Sequence, residues 1–153
     1  MLEEAASCQI GRKRASGVRA RIKTNPYYSD ARGSQRYPPP YDRMFPDTGN
    51  YIGFVGDDRL SADFVRDVIG SFRRHTKFPS QGVAAPAQVQ GMGWSDHWAF
   101  WQVGYPGLMV TDTAPFRYPH YHEETDTPDK IDYDRTARVV AGMLRVTREL
   151  ANR

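Results

Sequence analysis

Residues 107–130 read GLMVTDTAPFRYPHYHEETDTPDK, an apolar run that passes directly into a loop dense with reactive side chains. The run GLMV is short, continuous and bounded by glycine, which predicts a strand buried on both faces, as in a parallel sheet. Positions 117–130 then hold two histidines, four carboxylates and two prolines. No core strand or helix accommodates that mixture, because buried charges and prolines each break the packing or hydrogen bonding that such elements need. The segment is therefore a loop at the carboxyl end of a strand, which is where open α/β sheets bind ligands.

Working outward, YIGFVGD at 51–57 is a second apolar run suited to a buried strand. A helix is expected after it, with Ser61 as N-cap and Asp63 in the first turn. Leu60, Phe64, Val65, Val68, Ile69 and Phe72 would share its inner face. GVAAPAQV at 82–89 reads as a weaker strand, placed at an edge by Pro86. Ser95 is the expected cap of a short helix stopped by Gly104, with Pro106 just beyond. Downstream, a final helix is predicted from about Asp134 to Leu150, with an apolar stripe of Ala137, Val140, Ala141, Leu144 and Leu150 and arginines opposite. Strands alternating with helices predict an α/β layer fold.

The remaining sequence divides into two parts. Residues 1–25 carry Arg12, Lys13, Arg14, Arg19, Arg21 and Lys23 without helical or strand periodicity, and read as a solvated, disordered basic arm or as sequence not native to the rest of the chain. A nucleic-acid role for this arm is less favoured, because no aromatic residues interleave with the charges as stacking platforms. Residues 26–153 form the folded unit, opening with a loop rich in Pro, Gly, Ser and Asp; its three consecutive prolines, 38–40, favour an extended polyproline path. The chain of 153 residues is 39% hydrophobic and 25% charged with net charge +3, ordinary for one soluble domain. Its single cysteine, Cys8, excludes an intrachain disulfide and a multi-cysteine metal site. No apolar run approaches the ~18 residues of a membrane span, and no secretory signal is visible. A cytoplasmic location is the default expectation, with a secreted or periplasmic one if the native start lies upstream.

The candidate chemistry lies in two places. In the loop, His122 is surrounded by acids; a neutral imidazole is the commonest metal ligand, and Glu123 or Asp126 could accept its second ring proton. Tyr121 beside it offers a phenolic proton to an oxyanion. Thr127-Pro128-Asp129 reads as a cap, a first-turn proline and an acid, which would steady the loop. In the second place, Ser95-Asp96-His97, adjacent residues cannot form a hydrolytic relay. Asp96 and His97 could instead face a pocket walled by Trp94, Trp98 and Trp101, although tryptophans at such spacing also serve as core.

Read together, SDHWAFWQVGYPGLMVTDT, RYPHYHEETDTPDKIDYDRTARVVAGM and the upstream YYSDARGSQRYPPP resemble the C-terminal half of M28-family zinc peptidases, from about Tyr27 to Leu150. The resemblance implies a three-layer α/β/α fold with a mixed central sheet, present here as its C-terminal half. It implies two zinc ions and a peptide substrate cleaved at its N-terminal residue in a complete protein. It also implies His122 as the last zinc ligand and Tyr121 as the donor to the tetrahedral intermediate, with Asp96, His97 and Asp126 lining the pocket or supporting the ligands. The family's His-x-Asp pair, bridging aspartate and Glu-Glu pair have no counterpart in this sequence, and Lys23 stands where an acidic ligand is expected. One histidine supplies at most a weak single zinc site and no general base. The chain alone is therefore expected to be inactive. The alternative is a non-catalytic module that binds a peptide or partner. Loss of partner strands and covering helices predicts an open sheet edge and exposed apolar faces, to be closed by a complementing chain or a second copy.

Overall fold

The computed structural model describes residues 8–9 and 28–152. Four strands form one sheet: β1 (Cys8–Gln9), β2 (Ile52–Asp57), β3 (Ser80–Ala85) and β4 (Leu108–Thr111), in the spatial order β1-β4-β2-β3. β2 and β3 are parallel, whereas β4 runs antiparallel to both β2 and β1. The sheet is thus mixed. The parallel setting expected for GLMV is corrected, and the reason is burial: Leu108 and Val110 sit in the main core while Met109 packs on the opposite face. Cover on both faces produces a continuous apolar run whichever way the strand points. Within the arm, Cys8–Gln9 pair with Val110 and Met109; the rest of residues 1–25, including Lys23, lies outside the described residues.

Helix α1 (Ala62–His75) follows β2 and buries Phe64, Val65, Val68, Ile69 and Phe72, the face expected from its periodicity, while Leu60 lies ahead of the helix and is exposed. Ser61 stands at the N-cap but makes no capping bond. Its Oγ instead accepts the Gly107 backbone N–H at 3.1 Å, tying the start of α1 to the approach to β4. Gly56 permits this proximity, since a Cβ there would meet Ser61 Cβ at 2.8 Å and Val65 Cγ2 at 2.6 Å. Asp57 closes the turn after β2 by accepting the Arg59 and Leu60 N–H groups.

α3 (Tyr133–Ala151) begins at Asp132, whose side chain accepts the Arg135 N–H. Its buried face is Val139, Gly142, Met143 and Val146. The stripe expected to face inward is corrected: Ala137, Val140, Ala141 and Leu144 are exposed, and of that set only Leu150 packs against the core. The physical cause is Gly142, where a Cβ would stand 2.6 Å from the Phe72 ring. A glycine that lets α1 approach outweighs a Val or Leu on another face, and periodicity of bulky residues does not register it. At the far end Glu149 takes bonds from Ser71 Oγ at 2.5 Å, Arg74 Nη2 at 2.7 Å and His75 Nε2 at 3.0 Å, clamping α3 to α1.

α1 and α3 cover one sheet face. On the other, Val55, Ala85 and Met92 cluster with Val83, Val89 and Met109, so the segment 86–96 leading to α2 (His97–Gln102) lies there. β3 is an edge strand among the described residues, as Pro86 predicted. The N-cap of α2 is Asp96 rather than Ser95, without a side-chain capping bond. The proline run departs from a polyproline path: the Pro39–Pro40 bond is cis and Pro40 has φ −88° and ψ 0°, leading into a 3-10 turn at Tyr41–Arg43. Residues 28–50 are nevertheless packed down. Ser34 Oγ accepts the Gly49 N–H at 2.8 Å, Tyr37 and Tyr51 join hydroxyls at 2.8 Å, and Tyr28 meets Phe78 edge-on.

Candidate active site

The carboxyl end of β4 runs into Asp112 and Thr113, the latter in the left-handed region at φ 60°. Its hydroxyl donates to Gln35 Oε1 at 3.0 Å, joining the strand end to the loop upstream of β2. Beyond it the chain makes a 3-10 turn at Ala114–Phe116, and Tyr118 N donates to Ala114 O. The loop is then closed on itself. The Tyr118 hydroxyl donates to Asp126 Oδ1 at 2.8 Å, His120 Nδ1 meets Thr125 Oγ1 at 2.7 Å, and Asp126 N donates to Glu123 O. Thr127-Pro128-Asp129 leads a single 3-10 turn, Pro128–Lys130; Thr127 Oγ1 accepts Lys130 Nζ rather than capping it.

This bracing presents Tyr121 and His122 together, with ring centroids 4.1 Å apart at 79°. His122 takes φ 59°, in the left-handed region that few non-glycine residues adopt, histidine more readily than most. Its ring is exposed but lies on the wall of a cavity of about 610 Å³. Tyr121, Glu123 and Asp126 line the same cavity, as do Asp96 and Trp94 from the approach to α2 and Asp112 from the strand end. Tyr37, Tyr41, Phe45 and Phe116 add aromatic walls. Among the described residues the lining holds four carboxylates and neither Lys nor Arg, which favours a cationic group. Burial, with the charge of Asp112, pushes the Tyr121 phenol above its ordinary value, which keeps its proton available for donation.

His97 sits elsewhere. It is fully buried, stacked edge-on to Trp101 with centroids 4.7 Å apart, and its Nε2 donates to Met92 O at 2.5 Å. Burial pushes its pKa below the usual histidine value, so the ring is neutral and its role here is to pin the start of α2. Trp101 is core as well and donates to Gly107 O, whereas Trp98 is surface-exposed. Of the residues read from sequence as pocket-lining, Asp96, Asp126 and Trp94 reach the cavity.

Asp112 and Arg117 escaped the sequence reading. Asp112 is 2% exposed; its Oδ1 accepts the Ala114 N–H while Oδ2 has no partner among the described residues. Burial pushes its carboxyl up to about 7, against the lowering effect of Arg117. Arg117, also buried, donates Nη2 to Tyr51 O and lies 5.3 Å from the centres of the Tyr28 and Tyr51 rings. The available signal was an acid placed directly after an apolar strand, in TDT.

The fit of zinc can be judged from the donor set. Among the described residues no group of three or more His, Cys, Asp or Glu side chains converges where it could hold a metal ion. A catalytic zinc needs about three protein ligands, so the described residues do not complete a centre around His122.

With this geometry in view, comparison with known proteins places the chain in a class. The model for peptidase family M28 matches residues 54–147, and the chain belongs to that family. It is 35% identical over 119 residues to the uncharacterized protein YfbL of Escherichia coli K12, a match covering 77% of this chain and 36% of YfbL. The chain thus spans about a third of the length of that relative. No solved structure matches.

Proposed function

We propose that this chain carries the substrate-facing C-terminal part of an M28-type peptidase site, which in the complete protein removes N-terminal residues from peptides with the aid of zinc held partly by His122. The supporting observation is that Tyr121, His122, Asp126 and Asp96, from two separate segments, share one acidic, aromatic-walled cavity beyond β4. In this reading the peptide end occupies the cavity, its ammonium attracted by the carboxylates and its side chain laid against the aromatic wall. The protonated Tyr121 donates a hydrogen bond to the carbonyl oxygen where negative charge develops. No residue described here is assigned the proton abstraction from water, and the chain by itself binds peptide without cleaving it.

Fluorescence of Trp94 on titration with a short unblocked peptide tests the binding, and zinc calorimetry with an aminoacyl chromogenic substrate tests the chemistry. Expected results are saturable binding weakened in Tyr121→Phe, at most one weakly bound zinc that is lost in His122→Ala, and no turnover. Absence of peptide binding would overturn the reading. That no donor cluster converges among the described residues also favours a second reading, a non-catalytic peptide-binding module. Tight binding of two zinc ions or measurable hydrolysis would exclude that second reading.

A further inference from the structure

α3 is apolar on two faces centred about 120° apart around its axis. One packs against α1; the other carries Tyr133, Ala137, Val140, Leu144, Thr147 and Ala151, spaced alternately by four and three residues. On a helix of 3.6 residues per turn that spacing produces a nearly straight seam of the kind that pairs helices. Tyr133 is 61%, Val140 43% and Leu144 50% exposed, so no described residue covers the seam. One position beyond it lie Asp134 near the N-terminus of the helix and Arg148 near its C-terminus, both exposed. Among the described residues neither forms an ion pair within the chain, whereas Arg135 and Glu149 nearby are already engaged.

We propose that this seam packs antiparallel against the same seam of a second copy, forming a two-fold symmetric dimer through α3. Charge selects both the occupant and the direction. Antiparallel pairing brings Asp134 of each copy alongside Arg148 of the other, two attractions from one symmetry operation. In a parallel pair the two copies of each residue would fall on opposite sides of the seam, so neither attraction would form. Size agrees: reversal sets Val140 beside Leu144 of the partner and the large Tyr133 beside the small Ala151, so the helices can approach closely at both ends. The opposed helix dipoles add to the preference. A surface that complements itself in charge and size requires only another copy of itself.

Sedimentation of the full chain over a wide concentration range is the test. The expected result is a reversible monomer–dimer equilibrium. Leu144→Asp should raise the dissociation constant ~100-fold, as for loss of a central apolar contact, with unchanged circular dichroism because the residue is on the surface. Asp134→Arg and Arg148→Asp should each weaken the dimer ~10-fold, and the double variant should recover most of the loss. A monomer at every concentration, a dimer indifferent to Leu144→Asp, or a double variant no tighter than the single ones would overturn the proposal. So would a seam that binds the remaining portion of a longer M28 relative while showing no self-association.

Discussion

Tyr118 donates its hydroxyl to Asp126 at 2.8 Å, and this bond across eight residues closes the loop that holds Tyr121 and His122 at the cavity. Tyr118→Phe keeps the ring, which packs edge-on to His120 with centroids 5.3 Å apart, and removes only the bond. A hydrogen bond to a charged group contributes ~1.5–3 kcal/mol. We expect a loss in that range by urea unfolding and a weaker grip on peptide. Unchanged stability and unchanged binding would show that the loop is braced by its backbone and the His120–Thr125 contact without this bond.

The carboxyl of Asp112 is raised from 3.8 to about 7, mainly by burial. For an acid this means that folding favours the protonated form. The stabilisation is complete below the unfolded value near 4 and is lost as pH rises through 7. At ~1.4 kcal/mol per pH unit the effect is on the order of 4 kcal/mol. Asp112→Asn should flatten the pH dependence of urea stability between pH 4 and 7 and should leave the variant the more stable protein at pH 8. A parallel pair of curves would mean that Asp112 is ionised throughout.

Two glycines in helices should respond to alanine with opposite signs. At Gly142 a Cβ meets Phe72 Cε2 at 2.6 Å, so Gly142→Ala should cost ~1–3 kcal/mol by forcing α1 and α3 apart. At Gly70 the nearest atom is Arg74 Nη1 at 3.7 Å, and Gly70→Ala should stabilise α1 by ~0.5–1 kcal/mol. Thermal melts of the two variants decide the matter; equal shifts would contradict the close crossing of the helices.

Ser61→Ala leaves the buried N–H of Gly107 without its acceptor. Such an orphaned donor costs ~1–3 kcal/mol, more than loss of an exposed cap. Hydrogen exchange at the Gly107 amide should accelerate along with the fall in stability, and an unaltered exchange rate would refute the bond.

Three strands, three helices and the loop after β4 were legible in the sequence because each depends on local pattern: apolar runs, a 3.6-residue stripe, and prolines with acids where no element could continue. The placement of Tyr121 and His122 in that loop was legible for the same reason, whereas the roles given to them belong to the proposed function. Family membership followed from motif spacing along the chain.

What only the tertiary structure decided is everything that depends on two segments meeting. Strand direction is invisible in GLMV, because a strand buried on both faces is apolar in either orientation. The inner face of α3 was set by Gly142 admitting Phe72, a contact made by an absent side chain. His97 went to the core and Asp112 to the strand end because burial depends on what packs above a residue, and neighbours distant in sequence supply that. Sequence patterns record how each segment meets its surroundings on average, whereas direction, face and site arise from which particular segments come together.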